Sequence, residues 1–285
     1  EETAGQYPAA GGSRGWFYVL ETEVSVDMQV RWGTLGAAPG LRDLVMAGFA
    51  LYISGSGEAG GETSRTLREL EEAGALEIDT GDSPDPENPT VGTFTVSGCW
   101  KYDLDGTART YYVDRTVQDS DTLEPAGELA EQLGEDFFLV SYDNSSAPNV
   151  GSVTDRAYDG GVVYVTLTGV TDYRAAKVWL DQEDSSGRPT GELHLWRYRE
   201  GESYTTAAPV TDGTGTPYIL ELTGEDRQVI AFTDADGNDA QLEKYDQEGY
   251  RYIYVVREYL DATTAEGEAA NGYQQIFGEV HADGS

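Results

Sequence analysis

A six-residue phrase occurs twice in this chain, as Lys101-Tyr102-Asp103-Leu104-Asp105-Gly106 and as Lys244-Tyr245-Asp246-Gln247-Glu248-Gly249. Each copy runs into an alternating stretch, Thr110 to Val117 and Tyr250 to Leu260, with Tyr111 and Val113 of the first matching Tyr254 and Val256 of the second. Asp and Gly flanking a short polar loop, followed by apolar residues at every second position, spell a turn that enters a strand. Asp103 and Asp246 are expected to shape the turns, with Gly106 and Gly249 supplying a positive φ. One module used twice restricts the chain to strand-built domains in tandem.

Composition agrees with an all-β fold. The 285 residues, 35 of them Gly and 19 Tyr, exceed what one core spans, since single cores stop growing near roughly 250 residues. A net charge of −34 excludes nucleic acid and anionic membrane surfaces as partners, because both would be repelled. No apolar run is long enough to cross a bilayer, so no membrane insertion is expected. Cys99 is the only cysteine, so no intrachain disulfide forms. The chain reads as a piece of a longer protein whose export and anchoring signals lie outside it.

Trp16 to Val19 read as a strand that leads through Glu21 and Glu23 to Val24, Val26 and Met28. A second junction repeats this pattern: Val162 to Thr168, then Gly169 to Arg174, then Ala175 to Trp179. Each junction predicts a closing strand, a short linker and the opening strand of the next domain. Residues 1–23 are thus expected to close a preceding repeat, 24–172 to form domain one and 173–285 to form domain two. The strands predicted in domain one are Val26 to Trp32, Phe49 to Ile53, Gly92 to Val96, Thr110 to Val117, Phe137 to Tyr142 and Val162 to Thr168. Helical insertions are predicted at Ser64 to Ala73 and Glu124 to Leu133, and the proline-rich run 82–89 is a loop. In domain two the strands are Ala175 to Leu180, Glu192 to Tyr198, Tyr218 to Leu222, Gln228 to Phe232, Tyr250 to Leu260 and Gln274 to Val280. No equivalent of Val162 to Thr168 follows Val280, so the closing strand of domain two is missing from the pattern.

Lys177-Val178-Trp179-Leu180-Asp181, Gly187-Arg188-Pro189, a strand ending Trp196-Arg197-Tyr198, the second Lys-Tyr-Asp turn and Tyr252 to Glu258 occur in that order. Together they resemble the B-type repeat of the Cna collagen adhesin, over most of domain two and more weakly over domain one. The resemblance implies tandem inverted immunoglobulin-like β-sandwiches, the first carrying helical insertions. It implies a structural stalk or spacer of a bacterial cell-surface or pilus-like protein, extracellular and anchored to the cell wall through regions outside this chain. Its partners would be the neighbouring repeats, and it would catalyse nothing on an external substrate.

Some members of that family cross-link themselves through a Lys–Asn isopeptide bond assisted by an acid. A buried lysine is driven toward its neutral, nucleophilic form, and a buried carboxylic acid shuttles the proton. In domain two the resemblance puts Lys177 at the lysine position and Glu258 at the acid position, with no asparagine partner identified. In domain one these positions hold Val30 and Arg115, and the closing strand reads Val165-Thr166-Leu167, so that domain is not expected to cross-link.

Other residues carry weaker signals. Asp234-Ala235-Asp236-Gly237-Asn238-Asp239 starts like a calcium loop, but Asp239 and Tyr245 stand where an EF-hand needs Gly and Glu, so a hairpin turn is expected. Cys99 reads as a buried, inert thiol. No nucleotide loop, zinc spacing or triad order is present, and neither a cofactor nor a metal is expected. The competing function is adhesion to a host matrix protein or a glycan. It would use the insertions Gly57 to Pro89 and Asp119 to Asp136 of domain one together with solvent-facing Tyr112, Trp196, Tyr198, Tyr250 and Tyr252. The bland reading of those aromatics is cross-strand packing. A strand donated by another chain would complete domain two if residues beyond Ser285 do not.

Overall fold

The computed structural model describes residues 2–8, 14–33, 40–54, 63–80, 92–102, 107–147, 153–181, 188–234 and 236–260. The proline-rich loop, the first Lys-Tyr-Asp turn from Asp103 to Gly106, Gly187 and the stretch Gln274 to Val280 lie outside them. Strands dominate, as the alternating patterns require, and the chain divides into two compact units, Glu1–Leu167 and Thr168–Ser285.

Unit 1 contains strands β1 (Glu2–Pro8), β2 (Arg14–Arg31), β3 (Phe49–Ser54), β4 (Thr63–Thr66), β5 (Leu76–Asp79) and β6 (Gly92–Trp100). It continues with β7 (Thr110–Arg115), β8 (Thr122–Leu123), β9 (Phe137–Asp143), β10 (Ala157–Tyr158) and β11 (Val162–Thr168). Three helices interrupt it: α1 (Leu41–Gly48), α2 (Leu67–Glu72) and α3 (Glu128–Leu133). One sheet runs β5-β6-β2-β11-β9-β8 with β1 added along β2, and a second runs β10-β7-β3-β4.

β2 is one strand of 18 residues, where the repeated junction predicts two strands and a linker. No Gly or Pro falls between Trp16 and Arg31 to break it. It pairs antiparallel with β1 from Arg14 to Leu20 and with β6 from Glu21 to Met28, with a register shift between Thr22 and Val24. From Asp27 to Arg31 it lies parallel to β11, with Val30 opposite Val165. Val24, Val26, Met28 and Val30 on β2 and Val163, Val165 and Leu167 on β11 point into the core at the two-residue period of a strand.

The two predicted helical insertions hold α2 and α3, each shorter than expected: Ser64 to Thr66, predicted helical, belong to strand β4, and α3 starts at Glu128 instead of Glu124. α2 begins with a capping box in which the Thr66 side chain accepts from the Glu69 backbone and Glu69 Oε2 accepts from Thr66 N at 2.7 Å. α1 and β5 were not predicted. α1 buries Leu41, Val45 and Met46, a stripe confined to eight residues.

Unit 2 contains β12 (Val170–Thr171), β13 (Arg174–Val178), β14 (Gly191–Arg199), β15 (Ala208–Pro209), β16 (Ile219–Glu221), β17 (Arg227–Ala231), β18 (Leu242–Glu243) and β19 (Tyr252–Leu260). The linker predicted at Gly169 to Arg174 belongs to this unit, because it holds β12, which pairs with β18, and Arg174 opens β13. β14 is central: β19 accompanies it from Gly191 to Arg199, while β15 and β16 share its other edge. β13 pairs with β17. Leu193 and Leu195 from β14 meet Ile230, Phe232, Ala240 and Leu242, with Tyr254 and Val256 of β19 packed against them. Side chains from both strand groups fill one core, the arrangement of a sandwich.

Candidate functional site

The Lys-Tyr-Asp turn uses a corner that unit 2 builds three times. Asp246 Oδ1 accepts from the backbone N–H groups of Glu248 and Tyr250, both at 2.8 Å. Asp212 Oδ1 does the same for Thr214 and Thr216 at 2.8 and 2.9 Å, and Asp234 Oδ1 for Asp236 and Asn238 at 3.0 and 2.9 Å. Three residues after each aspartate a glycine takes φ of 87°, 82° or 79°, at Gly215, Gly237 and Gly249. In each the glycine N–H donates back to the aspartate carbonyl, at 3.0 to 3.1 Å, so the corner is a four-residue turn closed by a left-handed glycine. The expected roles of Asp246 and Gly249 hold, and the Asp234 loop is the predicted hairpin. The phrase marks a corner, and the chemistry lies elsewhere.

The hydrogen bonds to Asp212 and Asp234 hold both carboxyls below the usual carboxylate range. A folded-state value below the unfolded one, about 3.9, gives stability that is present above that pH and lost as pH falls through the folded value. The Asp212→Asn, Asp234→Asn chain keeps an acceptor at both corners and is expected to lose less melting temperature than the parent between about pH 5 and about pH 3. Equal losses, read by circular dichroism, would show that these carboxyls contribute nothing to acid sensitivity.

Arg188 ties together the motifs on either side of it. Its side chain is 3% exposed. Nε and Nη2 donate to the two carboxylate oxygens of Asp181 at 2.7 and 2.8 Å, Nη2 also reaches Asp226 Oδ1 at 2.6 Å, and Nη1 donates to the Gly224 carbonyl at 2.6 Å. The guanidinium lies 5.6 Å from the centre of the Trp179 ring, which is buried with Leu260 and Leu222. The Lys-Val-Trp-Leu-Asp strand and the Gly-Arg-Pro loop therefore occur together because one supplies the fork's acceptor and stacking surface and the other supplies the fork.

Lys177 and Glu258 meet on the core side of the same unit. Lys177 Nζ lies 2.8 Å from Glu258 Oε1, with side chains 20% and 8% exposed, and the ammonium sits 4.3 Å from the Trp179 ring centre. Alternation puts Lys177 on the same face of β13 as Ala175, which packs against the core. Glu258 stands opposite Leu193, so the pair joins one strand group to the other across the sandwich. Of the five asparagines, two fall among the described residues. Asn144 donates to the Val153 and Arg156 carbonyls and accepts from Tyr158 N, while Asn238 belongs to the Asp234 turn. Asn88, Asn149 and Asn271 lie outside the described residues.

The aromatic candidates separate onto two faces. Trp196 and Tyr198 point away from the core on β14, beside Tyr204, whereas Tyr252 shares the core-side face of β19 with Tyr254 and Val256. Guanidiniums already lie over most of these rings: Arg257 at 4.0 Å from the centre of Trp196, Arg197 at 4.0 Å from Tyr252 and Arg199 at 4.4 Å from Tyr250. Tyr198 meets Tyr204 edge to face at 6.4 Å. Tyr112, expected to face solvent, is 1% exposed. It stacks on Tyr52 at 5.3 Å, with Arg156 4.4 Å from its ring centre, because β7 is an interior strand covered on both faces.

In unit 1 the corresponding places hold no lysine–acid pair. Val30 is packed opposite Val165, and Arg115, 9% exposed, joins a polar knot. Tyr142 Oη donates to Asp114 Oδ1 at 2.6 Å, Arg115 N donates to the same oxygen at 2.7 Å, and the Arg115 guanidinium donates to the Ser120 carbonyl. Burial, reinforced by Asp114, pushes the Tyr142 phenol up. Cys99 is buried, and burial together with the Asp159 carboxylate pushes its thiol up to about 11, so it is protonated and unreactive at neutral pH. Sequence reasoning missed Asn144, which is 4% exposed and staples the loop ahead of β10. Compared with family models, curated proteins and solved structures, the chain matches none of them.

Proposed function

We propose that this chain is a stalk or spacer segment of a bacterial cell-surface or pilus-like protein, built from two divergent Cna B-like sandwiches and lying outside the cell. The observation that carries this reading is the Lys177–Glu258 pair, 2.8 Å apart on the inner side of unit 2, at the two positions where the family resemblance puts a cross-linking lysine and its acid. The Arg188–Asp181 fork supports it, since it gives the co-occurring motifs a shared structural purpose. The parallel pairing of β2 with β11 adds an opening strand laid beside a closing one. The arginines over Trp196, Tyr250 and Tyr252 favour internal stiffening over sugar stacking.

A stalk must carry load as discrete folded units. Stretched between its ends in a single-molecule force experiment, the chain is expected to extend in two steps, one per unit, and to refold on relaxation. Gradual extension without steps would overturn the stalk reading. Intact-mass measurement of unit 2 reports the cross-link separately, since bond formation between Lys177 and an asparagine releases one ammonia.

A further inference from the structure

Unit 1 carries an open groove of about 850 Å3 that the stalk reading does not use. Its walls are α1, the chain just after β7, and the segment from β8 into α3. The insertion containing α2 and the one containing β8 and α3 are far apart in sequence, yet both contribute: Arg68 from the first, Leu123 and Glu124 from the second. Leu44, Ala47, Val117 and Leu123 give the groove an apolar lining. Val117, two residues beyond the end of β7, is 64% exposed on the groove wall.

Two further features limit what the groove can hold. β8 is the outermost strand of its sheet, and both of its residues, Thr122 and Leu123, line the groove, so a short sheet edge belongs to it. The charged lining is acidic. Arg68 is held by Asp43 at 2.9 Å, which leaves Glu124 and Glu128, both exposed, to set the field. A second copy of a chain with a net charge of −34 would be repelled.

We propose that this groove binds an extended peptide segment of a partner protein in which apolar residues alternate with lysine or arginine. The apolar side chains cover Val117 and Leu123, and the basic ones face Glu124 and Glu128. Binding would depend on the insertions, whereas the stalk reading depends on the sandwich frameworks, so either can fail alone.

The test uses the full chain and a short fluorescent peptide alternating lysine with leucine, with a glutamate–leucine peptide as counterpart, in about 0.15 M salt. The lysine peptide is expected to raise anisotropy saturably and the glutamate peptide to leave it unchanged. Val117→Asp, and separately Glu124→Lys with Glu128→Lys, should each weaken binding by about tenfold or more. Glu200→Lys with Glu225→Lys, acids of unit 2, should leave it within about twofold. Equal weakening by the unit 2 pair would reduce the effect to general charge attraction, and binding that survives Val117→Asp would exclude the groove; either result overturns the proposal. All variants lie on exposed positions, and unchanged melting curves separate lost binding from lost folding.

Discussion

Arg188→Ala lowers the melting temperature of unit 2 on the order of 10 °C, the largest loss expected from any single side chain outside the hydrophobic core. The side chain is almost fully enclosed, and its removal leaves Asp181 without its fork, Asp226 without its partner and the Gly224 carbonyl without its donor. Arg188→Lys separates charge from geometry. Lysine restores a cation but cannot reach both oxygens of Asp181 while donating to Gly224, so roughly half the loss should remain. Thermal melts followed by near-ultraviolet circular dichroism would check this. If Arg188→Lys melts with the parent, the fork is not what holds these segments together.

Lys177→Met costs unit 2 about 2–3 kcal/mol, below the figure for a fully buried pair because Lys177 keeps some solvent contact. Glu258→Leu costs less, about 1 kcal/mol, since the ammonium left behind can turn toward water and keeps the Trp179 ring beneath it. The asymmetry follows from burial, as the Glu258 side chain is 8% exposed and that of Lys177 20%. The double variant Lys177→Met, Glu258→Leu should recover much of the larger loss, because two apolar side chains then face each other across the core. Urea titrations of the four chains form the cycle. Additive costs would show that the two side chains do not interact in solution.

The strands whose apolar residues alternate cleanly were legible in the sequence, among them Phe49 to Ile53, Phe137 to Tyr142 and Val162 to Thr168. Periodicity alone identifies them, whatever they pack against. β2 was not legible as one strand. Trp16 to Val19 and Val26 to Trp32 both carry the pattern, and Glu21 and Glu23 between them look like a linker until β6 is present to pair Glu21 with Trp100 and take up Glu23 in the register shift. α1 escaped because a stripe of Leu41, Val45 and Met46 over eight residues is too short to distinguish from the strand that follows. Tyr112 was misplaced because alternation says which residues share a face but not whether the other face is also covered.

The site was legible in a different way. Lys177 and Glu258 lie 81 residues apart, and nothing in their local sequence joins them. Only the family resemblance suggested that two strands would bring them together, and the fold does so. The Arg188 fork could have been anticipated, since an arginine beside a proline and an aspartate after a tryptophan are a donor and an acceptor in want of each other. The turn aspartates hid behind their own repetition. Asp246 drew notice because its phrase recurs in unit 1 and Asp234 because its loop starts like a calcium site, while Asp212, which builds the same corner, shares with Asp246 only the glycine three residues on.

The parallel ladder between β2 and β11 has a mechanical consequence. β2 follows β1, its antiparallel partner, near the start of unit 1 and β11 closes the unit, and from Asp27 to Arg31 β2 and β11 run side by side in the same direction. A pull on the ends therefore drags these strands past each other along their length. Every hydrogen bond of the ladder is then loaded in shear at once, whereas a hairpin opened from its tip surrenders its bonds one at a time. Placing β2 and the last strand as parallel neighbours makes the unit's weakest direction something other than the line along which those two strands are pulled.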